Sequence, residues 1–299
     1  MPTRMFVSVI ASVVVLACQT EEQPASTETA TWSSTQDSTD RVVSVTGLAG
    51  PEAVRYDPVG DVYFVSNFNG DEEGDGFISR VSSDGTMETI QFGVGTAAHP
   101  LHDPRGMFIH QDTLWAADAN GIHGFNRASG EHIAFVDFTA FEPGFLNDIA
   151  TGPDGTIYVT DTGLSRVYRV VDGEAAIAIE DSMLGQPNGI TWDRGGARFL
   201  IAPWGGRQQL RAWNPETNEI TMVATSSGAF FDGIEFANGR VVVASQADSS
   251  LHVVTGETTH LLVHVPGRPA DIGLDTRRNR VAVPYIALDR VDIWQLPEA

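Results

Sequence analysis

Four residues of this chain, Glu52, Asn147, Asn188 and Asp232, offer side-chain oxygens, and each stands second in a short phrase that keeps returning. The phrases are Pro51-Glu52-Ala53-Val54, Leu146-Asn147-Asp148-Ile149, Pro187-Asn188-Gly189-Ile190 and Phe231-Asp232-Gly233-Ile234. Hard cations of calcium size take six to eight oxygens, with water or substrate filling what the protein leaves open. Two carboxylates and two amides suit that requirement, and the two negative charges balance a divalent ion. His and Cys are missing from the set, which argues against zinc. A plainer reading stands beside this one: Pro-Asn-Gly and Asn-Asp are common turn formers, so any one phrase alone is more often a turn than a ligand.

Two more copies, Pro104-Arg105-Gly106-Met107 and Pro269-Ala270-Asp271-Ile272, complete a sixfold series at intervals of roughly forty residues, a spacing typical of propeller blades. Each copy is followed by a tight turn and a second apolar run, such as Gly152-Pro153-Asp154-Gly155 and then Ile157-Tyr158-Val159-Thr160. No stretch has a helical apolar stripe. The pattern predicts an all-β, six-bladed β-propeller whose innermost strands carry the phrases. A shared register then aims Glu52, Arg105, Asn147, Asn188, Asp232 and Ala270 at one axis. The last copy provides only three strands, so Arg41-Val42-Val43-Ser44-Val45 is expected to close the ring as the fourth.

The ends and the composition set the context. Arg4, the apolar run Phe6 to Leu16 and Val15-Leu16-Ala17-Cys18 read as a lipoprotein signal peptide over residues 1–18, with Cys18 lipidated; an ordinary secretory signal is the alternative. Gln19 after the cysteine points to outer-membrane sorting, hence an exported protein anchored in the bacterial cell envelope on its periplasmic or surface face. Residues 19–40 are almost devoid of apolar side chains and read as a disordered tether; residues 41–299 form the propeller. All 18 basic residues are arginine, so Schiff-base and P-loop lysine chemistry is excluded, and the one cysteine excludes a disulfide. A net charge of −21 makes nucleic acid an improbable partner. The membrane is expected to be met only through the lipid, and a closed ring is expected to work as a monomer.

Second-strand ends are expected to frame the entrance to the axis: Asn67, Asp118, Asp161, Trp204 and Tyr285. Asn67, Trp204 and Tyr285 are candidate substrate contacts, although Trp204 could equally be packing. Asp118 and Asp161 are expected to bind neighbouring backbone. His99 and His102 precede the Arg105 phrase on the rim side and read as a polar loop, with a proton carrier as the functional alternative. The acidic run from Asn69 to Gly76 lacks the closing Glu of an EF-hand and reads as a solvated insertion.

Through the Glu52, Asn147, Asn188 and Asp232 phrases, in order and at blade spacing, residues 46–296 resemble the regucalcin/gluconolactonase family of six-bladed propellers. The resemblance implies a hydrolase of lactones or related esters. It also implies one divalent metal, calcium (Ca2+) or another such as zinc, manganese or magnesium, held by those four residues, with Asp232 doubling as catalytic base. Arg105 would then neutralise charge on the substrate; an ion pair with Asp103 or Glu52 is its structural alternative. The chain departs from the pattern at Phe145, where many members place a substrate-contacting arginine, and at Arg105 and Ala270, where a catalytic histidine is absent. Ile157-Tyr158-Val159-Thr160-Asp161 also resembles an NHL repeat, which implies the alternative of a non-catalytic propeller binding a protein or glycan at its rim.

Overall fold

The computed structural model describes residues 41–68, 73–237 and 239–297. The expected signal peptide, Cys18 and tether lie outside the described residues, as do four residues of the acidic run. Alternating apolar and polar residues between Gly- and Asp-rich turns produce strands, and these fall into six consecutive four-stranded antiparallel meanders. The first comprises Pro51–Asp57, Val62–Asn67, Phe77–Ser82 and Met87–Val94. The second comprises Met107–His110, Thr113–Ala117, Gly121–Asn126 and His132–Asp137. The third comprises Leu146–Thr151, Ile157–Asp161, Arg166–Val171 and Glu174–Glu180. The fourth runs through Pro187–Asp193, Arg198–Pro203, Gln209–Trp213 and Ile220–Thr225. The fifth runs through Phe231–Ala237, Arg240–Ser245, Ser250–Thr255 and Thr258–His264. One parallel pair, Thr225 with Thr258, joins the fourth and fifth at their outer strands.

The last meander draws on both ends of the chain. Gly273–Asp275, Arg280–Tyr285 and Arg290–Gln295 are completed by Arg41–Thr46, which pairs antiparallel with Arg290–Gln295. Ser44 donates to Asp292 at 2.6 Å across that seam. Apolar side chains fill the space between successive meanders: Val54, Tyr63 and Val65 pack with Val45, Val291 and Ile293 at the seam. Ala117, Ile122 and Val136 pack with Ile149, Val159 and Tyr168 between the second and third. The core is therefore divided among the interfaces rather than gathered in one centre.

First strands also meet one another edge to edge at the axis. Val54 N–H donates to Asp271 O at 3.0 Å, Asp271 N–H to Glu52 O at 2.9 Å, and Gly106 N–H to Asn147 O at 2.9 Å. Such contact leaves no room for side chains at some positions. A Cβ on Gly189 would lie 2.4 Å from Asp232 O, and one on Gly233 would lie 2.4 Å from Ile272 N. Neither glycine has positive φ. The Asn-Gly and Asp-Gly dipeptides are thus strand residues selected by close backbone approach, and the turn reading of these phrases does not hold.

Candidate metal centre

Each of the four candidate oxygen donors sits at a break in strand register. Pairing with the second strand shifts between Pro51 and Ala53, Leu146 and Ile149, Pro187 and Ile190, and Phe231 and Ile234. A bulge inserts a residue that re-aims its side chain and frees ladder amides. Hydroxyls of the second strand take those amides up: Ser66 Oγ accepts from Ala53 N–H at 2.9 Å, and Thr160 Oγ1 accepts from Asp148 N–H at 2.9 Å. Beside Asn188, where the second strand has no hydroxyl, Asp148 Oδ2 of the neighbouring first strand accepts the Ile190 N–H at 2.8 Å instead.

Glu52, Asn147, Asn188 and Asp232 all line one cavity of about 420 Å³. Glu52 Oε2, Asn147 Oδ1, Asn188 Oδ1 and Asp232 Oδ1 are buried without a hydrogen-bond partner. Buried polar atoms are ordinarily paired, and an orphan costs about 1–3 kcal/mol. Four orphaned oxygens from four strands facing one cavity form a donor set that fits a hard cation. Their other atoms are anchored: Asn147 Nδ2 donates to Thr162 Oγ1 at 3.1 Å, and Gln246 Nε2 donates to Asp232 Oδ2 at 2.7 Å. Burial and then the neighbouring Asp232 charge push the Glu52 carboxyl well above the usual range, against the opposing charge of Arg105. Burial lifts Asp232 to about 7, against the Gln246 hydrogen bond. Two buried, mutually repelling acids are what a bound cation would relieve. Among the described residues no cluster of three or more His, Cys, Asp or Glu is arranged for a metal; the present set escapes that description because half of it is amide.

The other predicted contacts are distributed differently. Trp204 lines the cavity. Asn67 does not, and is fully buried: its Oδ1 accepts from Ala49 N–H at 3.0 Å and its Nδ2 donates to Ser79 Oγ at 3.1 Å. Tyr285 is also buried, its hydroxyl accepting from Trp294 Nε1 at 3.3 Å. The structure therefore does not bring these two expected substrate contacts to the cavity lining. Asp118 accepts from the backbone N–H of His102 and Asp103 at 3.0 and 2.6 Å, and Asp161 from Gly144 and Phe145, both at 2.9 Å. Second-strand ends therefore tie down the loop that precedes their own first strand.

Arg105 is 5% exposed and is not among the residues lining the cavity. Its Nη1 donates to Leu146 O at 3.0 Å and Nη2 to Asp103 at 3.4 Å, with the ring of Phe145 at 3.9 Å and that of Phe68 at 5.6 Å. The structure does not bring Arg105 to the cavity lining as the substrate contact expected of it: Leu146 O and Asp103 take its two terminal nitrogens, the second in the ion pair that was its structural alternative, while Nε is buried without a partner. Ala270 is fully buried and contributes no donor.

Residues the sequence reading missed are Phe68, Thr162, Gln246 and Ile286, each one position beyond a second-strand end. Trp204 holds the equivalent place after Pro203. Side chains alternate along a strand, so a reading displaced by one residue selects those that point away from the cavity. Deeper along the axis Arg55 pairs with Glu235 and donates Nε to Met107 O at 2.7 Å, joining the first strands of the first, second and fifth meanders. Asp148 and Asp271 lie buried in the same region, their charges acting on Arg55.

Known structures give the architecture its name. A gluconolactonase from Xanthomonas campestris superposes with a TM-score of 0.66 at 16% identity, covering 86% of this chain and 92% of that one. The fold is a β-propeller. A protein described as a putative gluconolactonase matches this propeller with a TM-score of 0.61 at 16% identity, over 87% of this chain and 93% of its own. A streptogramin B lyase matches with a TM-score of 0.60 at 13% identity, over 83% and 94%. No family model and no curated protein sequence matches the chain.

Proposed function

We propose that this six-bladed propeller is a hydrolase that opens a lactone or related ester with the help of a divalent cation, calcium first, held by Glu52, Asn147, Asn188 and Asp232. One observation carries the reading: the four unpartnered buried oxygens of those residues face a single cavity. The likeness to gluconolactonase structures supports it at the level of the fold. A bound divalent cation polarises a carbonyl oxygen and stabilises the charge that grows on it.

The chain's own groups do the rest. Asp232 Oδ1 is free to face the cation, while Oδ2, oriented by Gln246, is the atom that takes a proton from the attacking water. Asn147, fixed by Thr162, keeps its carbonyl oxygen turned to the cavity. Phe68, Phe145, Trp204 and Ile286 wall the site and exclude bulk water. Arg105 acts from behind Phe145 as a positioning charge beside Glu52.

Calorimetry on chelator-stripped protein tests the metal set. Wild type is expected to bind one calcium, and Asn188→Ala to bind at least tenfold more weakly. Indifference of wild type to calcium, manganese, magnesium and zinc alike would end the reading. The N-terminal segment completes the proposal: lipidation at Cys18 anchors a monomeric enzyme in the cell envelope. Cys18→Ser is expected to abolish partition into detergent and incorporation of labelled fatty acid.

A further inference from the structure

The walls of the cavity and the loops around its mouth carry a specificity that the metal set does not explain. Large apolar side chains exposed on outer strands, such as Ile133 or Met222, are ordinary for strands at the periphery. Loop residues are ordinarily polar; apart from Val59 in the turn between the first two strands, six that are not, Phe145, Leu164, Met183, Phe230, Ile286 and Leu288, are 36–49% exposed. All six stand in connections on the edge where the cavity opens. Phe145 and Ile286 line it, and Phe230 packs on the lining Trp204 with ring centroids 5.6 Å apart. Leu164 lies against Gly144 and Leu288 against Gly267, each in a neighbouring loop of that edge. Phe230 holds φ of +52°, a conformation a bulky residue adopts only where its surroundings hold it there.

The polar inventory points the same way. No Arg or His lines the cavity, and the nearest guanidinium, Arg105, is covered by Phe145. An anionic substrate would face Glu52 and Asp232 with no cationic side chain on the lining to pair with, the Arg105 charge being already opposed by Glu52. Two of the wall's polar side chains are engaged: Thr162 accepts from Asn147 and donates to Pro187 O at 2.8 Å, and Gln246 donates to Asp232, which leaves Gln186 as the exposed amide of the lining. A substrate rich in hydroxyls would desolvate them against Phe68, Phe145, Trp204 and Ile286 without replacement partners. An alkyl or aryl substituent would instead remove apolar surface from water on both sides of the contact.

Resting on the hydrolase reading for the reacting group, we infer that the substrate is a neutral cyclic ester bearing an apolar chain or ring: its carbonyl is turned to the oxygen-lined floor and its substituent lies along the Phe68–Phe145–Trp204–Ile286 wall and out over the Phe230 collar.

The test uses calcium-loaded full-length protein and γ-lactones of increasing chain length, from butyrolactone to decalactone, with glucono-δ-lactone as the polar comparison. Hydrolysis is followed as kcat/KM. Binding is followed separately by tryptophan fluorescence with 2-alkylcyclopentanones, which cannot be hydrolysed, and Trp204→Phe identifies the responding ring. Both readouts are expected to rise two- to fourfold per added methylene over the first several carbons. Phe145→Arg and Phe230→Ser, at exposed positions outside the core, are expected to flatten that rise severalfold. If no lactone is hydrolysed while ketone affinity still climbs with chain length, the apolar class stands and the hydrolase reading falls. Glucono-δ-lactone matching or exceeding decalactone, with ketone binding flat along the series, would overturn the inference and leave the hydrolase reading in place.

Discussion

At the scale of single residues the site is defined by what is left unpaired. Gln246 shows the complementary principle: it does not face the cavity as a donor of oxygen, yet its Nε2 fixes which Asp232 oxygen remains free. Groups that orient a metal ligand typically change affinity by 10–100-fold when removed. Gln246→Leu is therefore expected to weaken calcium binding by about tenfold, with a thermal midpoint close to wild type, by calorimetry and circular dichroism on the same sample. Asn188→Ala removes a donor outright and should cost more. The same reasoning explains how this site could be read in the sequence. Oxygen-bearing residues repeated in one register are visible without coordinates; Gln246 and Thr162 are ordinary polar residues whose importance comes from the hydrogen bonds they make, and no spacing marks those.

At the scale of elements, the end of the second strand is the organising position. Asp161 accepts backbone N–H groups from Gly144, Phe145 and Leu164. Asp161→Ala would strand three amides and is expected to destabilise the protein by about 3 kcal/mol, measured by denaturant unfolding, and to displace Phe145 at the cavity wall. The second meander has an acid-sensitive version of the same device. Asp118 is buried, which alone would raise its carboxyl, but hydrogen bonds from His123 and from the amides of His102 and Asp103 hold it below the usual value. His132, 3.0 Å from His123, is lowered by burial and then by the charges of His123 and His99. Both shifts mean the folded state binds fewer protons than the unfolded one, so stability falls as the pH falls. His132 contributes this loss as pH drops below its ordinary 6.5, and Asp118 contributes below its ordinary 3.8. Wild type is expected to lose thermal stability between pH 7 and pH 5 relative to His132→Leu, by paired melts across that window. The sequence pointed to second-strand ends as the frame of the cavity, but side-chain alternation made the reading sensitive to one residue. Trp204 was found because the strand stops at Pro203; Phe68, Thr162, Gln246 and Ile286 were missed because neighbours such as Asn67, Asp161 and Tyr285 occupy the last strand position.

At the scale of the whole molecule, the β-propeller was legible because the same phrase returns with strand patterning after it, and the N-terminal strand supplies the fourth member that the last copy lacks. Cohesion is spread over interfaces between adjacent sheets, with one seam where the ends of the chain meet. Removing Arg41–Thr46 would expose the full edge of Arg290–Gln295, and a free edge recruits another strand. That truncation is expected to self-associate by light scattering, and a synthetic peptide of residues 41–47 should suppress the association. The Arg55–Glu235 bar across the axis has a different kind of consequence, for traffic. An occupant leaving past Arg55 and Glu235 would have to part their ion pair and the Arg55–Met107 hydrogen bond, so a product of the proposed hydrolysis would back out along the path by which its precursor arrived. Departing and arriving molecules then exclude each other, and turnover inherits the slowness of whichever leaves most reluctantly.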